Sequence, residues 1–363
     1  QVQTARNRYF HPSPVTAITC SLLALTMSAN NKKGILATVG AIGVAAGALG
    51  TLLYQKMTKY KPPKKWDDNG RGYAYGGMNQ PTAGVRSKQE LKKGKHALQL
   101  YSLGTPNGVK ITILLEELSD EYKIQYDAWL IRISKSEQFG SGFVDINPNS
   151  KIPALLDYTE DDTKPIRVFE SASIMLYLCE HYDPKGLFLP KDSALKAECI
   201  NWVMWAIGAA PYLGGGFGHF YNYAPIKIKY AIDRFSMESK RQLDVLEKHL
   251  SGELKGFSPC SGGPYICGEK YTIADMIIWP WWGNLVLGRL YSAASFLDVE
   301  NTYPHVMKWA KMMWERPQVR RGRMVNRAWG DKEWQLPERH SPEDFEKSRN
   351  LWDPAKRTDE SKQ

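Results

Sequence analysis

The stretch LQLYSLGTPNG, Leu98–Gly108, carries the reading of this chain. Leu98 to Ser102 is a short apolar run of strand character. A tight turn follows, and VKITILLEEL then continues as an amphipathic helix. Pro106 fits the first helical position, where its missing N–H costs nothing and its fixed φ starts the helix. A strand, a tight turn and a helix in this order resemble the opening of a thioredoxin-like redox domain, in which the turn commonly carries cysteine. Here Thr105, Pro106 and Asn107 stand there instead, so the scaffold has to obtain its reactive group elsewhere.

Downstream, YDAWLIRI (Tyr126–Ile133) alternates as a strand, INPNSKIPALLDY leads through Pro153 into another, and IRVFES forms a fourth. That last strand breaks at Glu170 and Ser171, where ASIMLYLCEHY starts a helix with an apolar stripe at Ile174, Tyr177 and Leu178. The order βαβαββα within fewer than about 100 residues describes one α/β unit. From Asp192 the pattern is helical. Aromatic density peaks at Asn201–Pro225, where Pro211 and a run of glycines are expected to interrupt the helix. In YTIADM, Thr272 three residues before Asp275 is a capping box. The fold class is therefore α/β plus all-α, with domains at 98–190 and 191–330 and a charged tail, 331–363, that wraps over the surface.

The 363 residues, 43% hydrophobic and 12% aromatic, suffice for a sizeable core. The net charge of +10 is misleading, because residues 1–97 alone carry +12 and the remainder −2. With a nearly neutral globular part, nucleic acid is not an expected partner. Five cysteines show no CxxC pair and no zinc-site spacing. Cys260 and Cys267 are close enough in sequence to form a disulfide, but an odd total in a large chain favours free thiols and a reducing compartment.

Residues 34–54, GILATVGAIGVAAGALGTLLY, contain no charge and are long enough to cross a hydrocarbon layer of ~30 Å as an apolar helix. A membrane anchor is the favoured reading, with a removable targeting segment or a docked apolar helix as alternatives. Lysines are more numerous on the C-terminal flank, which leaves the globular part facing the cytosol, anchored to a mitochondrial or other organelle membrane, or cytoplasmic if the segment is removed. Residues 1–33 read as a leader or as untranslated-derived sequence ahead of Met27. Residues 55–97 read as a linker or N-terminal arm.

Together, YSLGTPNGVKITILLEE, NPNSKIPALLD, RVFESASIMLYL, GGGFGHFYNYAP, YTIADM and RPQVRRG resemble the glutathione transferase superfamily. Within it the resemblance is to the Nu-class, or YghU-type, disulfide-bond oxidoreductases, related to the folded domain of the yeast nitrogen-regulator prion protein. It covers roughly residues 75–345 and leaves out the apolar segment. It implies that the missing sulfur is borrowed from glutathione, bound as co-substrate with no metal. A free thiol of pKa near ~8.5 is mostly protonated at neutral pH, and donors beside a helix N-terminus raise its thiolate fraction. Thr105 offers a hydroxyl and Asn107 an amide for that catalytic role; read without the resemblance, they are an N-cap and a first-turn polar residue.

The resemblance further implies that Glu170 and Ser171 grip the γ-glutamyl end and that Pro153 is cis, freeing the backbone of Ile152 for the cysteinyl part. The resemblance also implies two glutathiones, or one glutathione disulfide, per subunit, and Asn79, Gln138 and Arg234 fall on positions that bind them. Arg234 read alone is as well explained by an ion pair with Asp233 or Glu238. Ile207 departs from the family, which has glutamine there, and weakens the expectation for the second glutathione. Tyr221 and Tyr223 wall the substrate pocket, His219 reads as structural, and Cys179 and Cys199 as buried and inert. The implied function is glutathione-dependent reduction of small disulfides by a homodimer. The alternatives are a non-catalytic glutathione-binding regulatory protein and a conventional conjugating transferase.

Overall fold

In a computed structural model the residues described are 63–66 and 81–357, apart from 255 and 257. Asn79, the apolar segment 34–54 and the leader lie outside them. Contacts divide the chain into residues 1–70 and 71–363, and the description that follows concerns the second unit.

Four strands form one sheet: β1 (Leu98–Ser102), β2 (Tyr126–Leu130), β3 (Ala154–Asp157) and β4 (Ile166–Phe169), in spatial order β2-β1-β3-β4. β1 pairs with β2 in parallel, Leu98 opposite Tyr126, and with β3 antiparallel, Leu100 opposite Leu155. Between β1 and β2 runs α1 (Pro106–Tyr122). α2 (Ser141–Ile146) precedes β3, and α3 (Ser171–Tyr182) follows β4. This is the βαβαββα order expected.

The sheet is buried on both faces over β1 to β3, while the edge strand β4 is partly exposed, and the strand period distributes the side chains between the faces. Leu98, Leu100 and Leu155 join the large core, which runs through α1 into the helical part. Tyr101, Ala154 and Leu156 pack with Phe143 and Ile146 on the opposite face. No strand follows β4 among the described residues. The helical part comprises α4 (Ser193–Pro211), α5 (Lys229–Ser251), α6 (Ile273–Ile278), α7 (Pro304–Glu315) and α8 (Pro317–Met324).

Two expectations are refined. Pro211 and the glycines do not cut the rod after α4; it winds on as wider π-helical turns over Tyr212–Tyr223. The wider turns seat bulky neighbours against the glycines: a Cβ at Gly214 would lie 2.5 Å from Trp281 Cη2, and one at Gly216 would lie 2.3 Å from Phe235. The tail, too, does more than cover a surface. Ala128 N–H donates to Arg339 O at 2.8 Å and Arg339 N–H to Ala128 O at 3.2 Å, so the tail occupies the outer edge of β2. Arg339 and Phe345 are fully buried there. The thiols of Cys179, Cys199, Cys260 and Cys267 are free and buried. Among the described residues no helix is long and apolar enough to cross a membrane.

Candidate functional site

A cavity of about 560 Å³ opens where the turn after β1 meets the cis-proline loop, the start of α3 and the helical part. Its first wall is the turn itself. Gly104 N–H donates to Asn326 O at 2.8 Å, and a Cβ at Gly104 would lie 3.1 Å from Arg327 Cα. The turn therefore rests directly on the chain leaving α8. Thr105 holds the N-cap position with φ −73° and ψ 165°, and its carbonyl accepts from Val109 N–H at 3.0 Å. Its hydroxyl makes no capping bond. An N-cap threonine ordinarily spends its hydroxyl on the helix; here it is left for the cavity.

Pro106 follows at the first helical position and also lines the cavity. Asn107 Oδ1 accepts from Trp281 Nε1 at 3.0 Å. Because the indole can only donate, this bond fixes which end of the amide is which and leaves the NH2 as the outward donor. Trp281 comes from the π-helical turn Trp279–Gly283 after α6. Only glycine fits at 108, where a Cβ would lie 2.0 Å from Leu103 O. Two donors thus flank the positive end of α1, an arrangement suited to an anionic atom such as a thiolate.

The second wall carries the loop Asn149–Pro153. The Ile152–Pro153 peptide is cis, and the backbone N–H and C=O of Ile152 hold no hydrogen bond among the described residues. Gln138 is buried on the cavity side, with Oε1 lacking a donor, and the buried hydroxyl of Ser150 is likewise unsatisfied. Buried polar atoms are rarely left so, and at a cavity they mark places where a ligand supplies the partner.

The third wall is the junction of β4 and α3. Glu170 adopts φ 70°, ψ 126°, a conformation costing a non-glycine residue about 1–3 kcal/mol and found where geometry serves function. Asn149 Nδ2 donates to Glu170 Oε1 at 3.1 Å. Ser171 is buried at the first turn of α3, and Lys110 Nζ approaches its Oγ to 3.3 Å.

Thr105, Pro106, Asn107, Gln138, Ile152, Glu170, Ser171 and Tyr223 all line this one cavity. Tyr221 does not: its ring lies against Phe217 and Phe296, with centroids 5.0 and 4.6 Å away. Arg234 is exposed on α5, outside the cavity lining. Asp233 is paired with Lys229 and Glu238 with Arg241; the Arg234 guanidinium acts on the Glu238 carboxylate through space, without a contact of salt-bridge length among the described residues. Ile207 packs half-buried against the helical core. Reading the sequence missed Trp281 and Lys110, and took His219, which lines the cavity, for a structural residue. The cavity holds no cysteine, and among the described residues no cluster of His, Cys, Asp and Glu could hold a metal.

Comparison with known proteins bears on this geometry. The model of the glutathione S-transferase N-terminal domain matches residues 105–181, and that of the C-terminal domain matches residues 229–311. The disulfide-bond oxidoreductase YghU of Escherichia coli is 55% identical over 290 residues, spanning 79% of this chain and 95% of that protein. The glutathione transferase YghU of Streptococcus pneumoniae, solved in complex with glutathione, superposes with a TM-score of 0.67 at 51% identity, over 73% of this chain and 97% of the other. A glutathione transferase of Pseudomonas putida, solved with one glutathione disulfide bound per subunit, aligns with a TM-score of 0.55 at 34% identity. That match covers 64% of this chain and 93% of the other.

Proposed function

Because this chain belongs to the glutathione S-transferase family, we propose that its cavity binds glutathione and uses the bound thiol to reduce disulfides. The supporting observation is an anion-stabilising turn that contains no sulfur. The Thr105 hydroxyl is uncommitted, and the Asn107 amide is oriented by Trp281.

In the reaction, the glutathione thiolate, held by hydrogen bonds from Thr105 and Asn107, attacks one sulfur of the substrate disulfide. A new S–S bond forms between glutathione and that half. The old S–S bond breaks, and its other sulfur leaves as a thiolate that takes up a proton. The thiolate of a second glutathione then attacks the mixed disulfide at the glutathione sulfur, releasing oxidised glutathione and the second substrate thiol. Two glutathiones are oxidised for each disulfide reduced. Glu170 and Ser171 grip the γ-glutamyl end at the start of α3, the Glu170 carboxylate suiting its ammonium and Ser171 with the helix N-terminus its carboxylate, and Ile152 pairs with the cysteinyl backbone as an added strand would. Gln138 supplies an acceptor, and Asn79 and Arg234 serve the second tripeptide, for which the planar guanidinium of Arg234 suits a carboxylate. Tyr223 belongs to the wall facing the substrate, and Tyr221 stands behind it against Phe217 and Phe296. The thioredoxin-like domain takes in residues 98–190 and the all-α domain 191–330.

Homodimer formation belongs to the same reading. Tyr230 and Met237, seven apart on α5, are 80% and 63% exposed, and Ile226 just before the helix is 67% exposed. Large apolar side chains grouped this way favour a partner surface. An anchor at residues 34–54, with the catalytic part facing the cytosol, completes the proposal.

The decisive experiment measures glutathione-dependent reduction of 2-hydroxyethyl disulfide by the wild-type chain and by the double variant Thr105→Ala, Asn107→Ala. Removing both donors is expected to cost roughly 100-fold or more in kcat/KM, with disulfide preferred over chloronitrobenzene by the wild type. Equal, near-background rates for the two proteins would overturn the enzymatic reading. Preference for chloronitrobenzene would point to a conjugating transferase.

A further inference from the structure

Lys110 lies in the first turns of α1 with 1% of its surface exposed. Its ammonium carries three donors, yet among the described residues it has one acceptor, Ser171 Oγ at 3.3 Å. A buried ammonium with so little solvation in return is costly. Its position adds to the cost, because Ser171 occupies the first turn of α3, a helix of 12 residues whose positive end points to the same place. The opposing charge is supplied by Glu170 alone, which is exposed and engaged by Asn149.

The other charged groups around α1 are committed elsewhere. On its later turns, Glu116 and Asp120 pair with Arg321, and Glu117 with Arg316, all facing α8. Asp275 of α6 is buried and receives N–H groups from Ile266, Thr272 and Trp309. The adjoining π-helical turn presents Trp281, which is occupied by Asn107.

We propose that Lys110 is a positioning residue of the glutathione site: its buried ammonium, acting through Ser171 and the start of α3, is the counter-charge for the ligand's γ-glutamyl carboxylate. This rests on the glutathione reading above. A carboxylate placed at Ser171 would relieve the crowding of ammonium and helix end together, so binding and the protonation of Lys110 are linked. Burial pushes the Lys110 ammonium down to about 7 in the ligand-free protein, and a bound carboxylate raises it. The free protein therefore loses the proton near neutrality while the complex retains it. Ligand binding takes up a proton, and affinity falls as pH rises above 7.

The test is calorimetric titration of S-methylglutathione, whose sulfur cannot ionise, into the full chain from about pH 6 to about pH 9, in buffers of different ionisation heat. The wild type should take up close to one proton at the upper end and weaken by up to about tenfold per pH unit above 7. Lys110→Met should bind more weakly than wild type at the low end. It should keep only the pH dependence of the ligand's own amine, which titrates equally in both proteins. Wild-type binding without excess proton uptake, or the same pH dependence in Lys110→Met, would overturn the proposal and leave the glutathione site standing. Absence of binding heat at any pH would defeat the glutathione reading itself. Should Lys110→Met not fold, the wild-type buffer series decides alone.

Discussion

The hydroxyl of Thr105 and the amide of Asn107 do their work because other residues relieve them of structural duty. Trp281 Nε1 takes Asn107 Oδ1, and α1 starts without help from the Thr105 side chain. Trp281→Phe keeps the ring against Gly214 but removes the donor, so the amide is free to turn over. A lost neutral hydrogen bond of about 1 kcal/mol corresponds to roughly a fivefold drop in kcat/KM. In Asn107→Ala the same substitution should then have little effect; steady-state kinetics on the four proteins of this cycle checks the coupling. The T-P-N turn was legible in the sequence because turn and helix-start chemistry is local. Trp281 was not, since it stands 174 residues away from Asn107. Lys110 reads as one more polar position on an amphipathic helix until α3 is laid over it.

Among the elements, α6 shows how much structure a local signal can fix. Thr272 accepts from Ala274 N–H, and Asp275 reaches back to Thr272 N–H, the capping box visible in YTIAD. The structure adds what spacing cannot: Asp275 also accepts from Ile266 N–H at 2.9 Å and Trp309 Nε1 at 2.9 Å. Asp275→Ala leaves three buried donors bare and is expected to cost about 3 kcal/mol or more by urea denaturation. Thr272→Ala should cost about 1 kcal/mol. Burial raises the Asp275 carboxyl to about 6. The native state thus holds its proton where the unfolded chain has released it, and this group's contribution declines as pH rises from about 4 through 6. By contrast, the π-helical stretch after α4 defeated periodicity. Tyr221 and Tyr223 look equivalent in the sequence, but wide winding turns one toward Phe217 and the other into the cavity.

Across the whole molecule, Glu116 is the meeting point of three distant segments. Its carboxylate accepts from Tyr126 Oη at 2.7 Å and Arg321 Nε at 2.7 Å, and Arg339 Nε lies 3.3 Å away. Thus α1, α8 and the tail converge on one buried charge. Glu116→Ala would strip the buried Arg339 of its carboxylate and leave Arg321 with Asp120 alone, and should destabilise the fold by about 3–5 kcal/mol, measured by the same denaturation. Replacing the whole cluster with apolar residues need not do so. The two-part fold followed from the order of periodic segments, but the clasp between its parts did not, because no pattern links Glu116 to residues more than 200 positions away. The tail read as a charged surface wrap for the same reason: Arg339 pairs with Tyr126 O at 2.8 Å from 213 residues downstream.

That pairing imposes an order on biosynthesis. The strand it covers belongs to the part of the chain that leaves the ribosome early, and domains generally begin to fold as they emerge. Until residue 339 has been translated, the outer side of Tyr126–Leu130 remains an open template for any passing strand. The nascent polypeptide is therefore most vulnerable to aggregation during the interval between making its first half and its last few dozen residues.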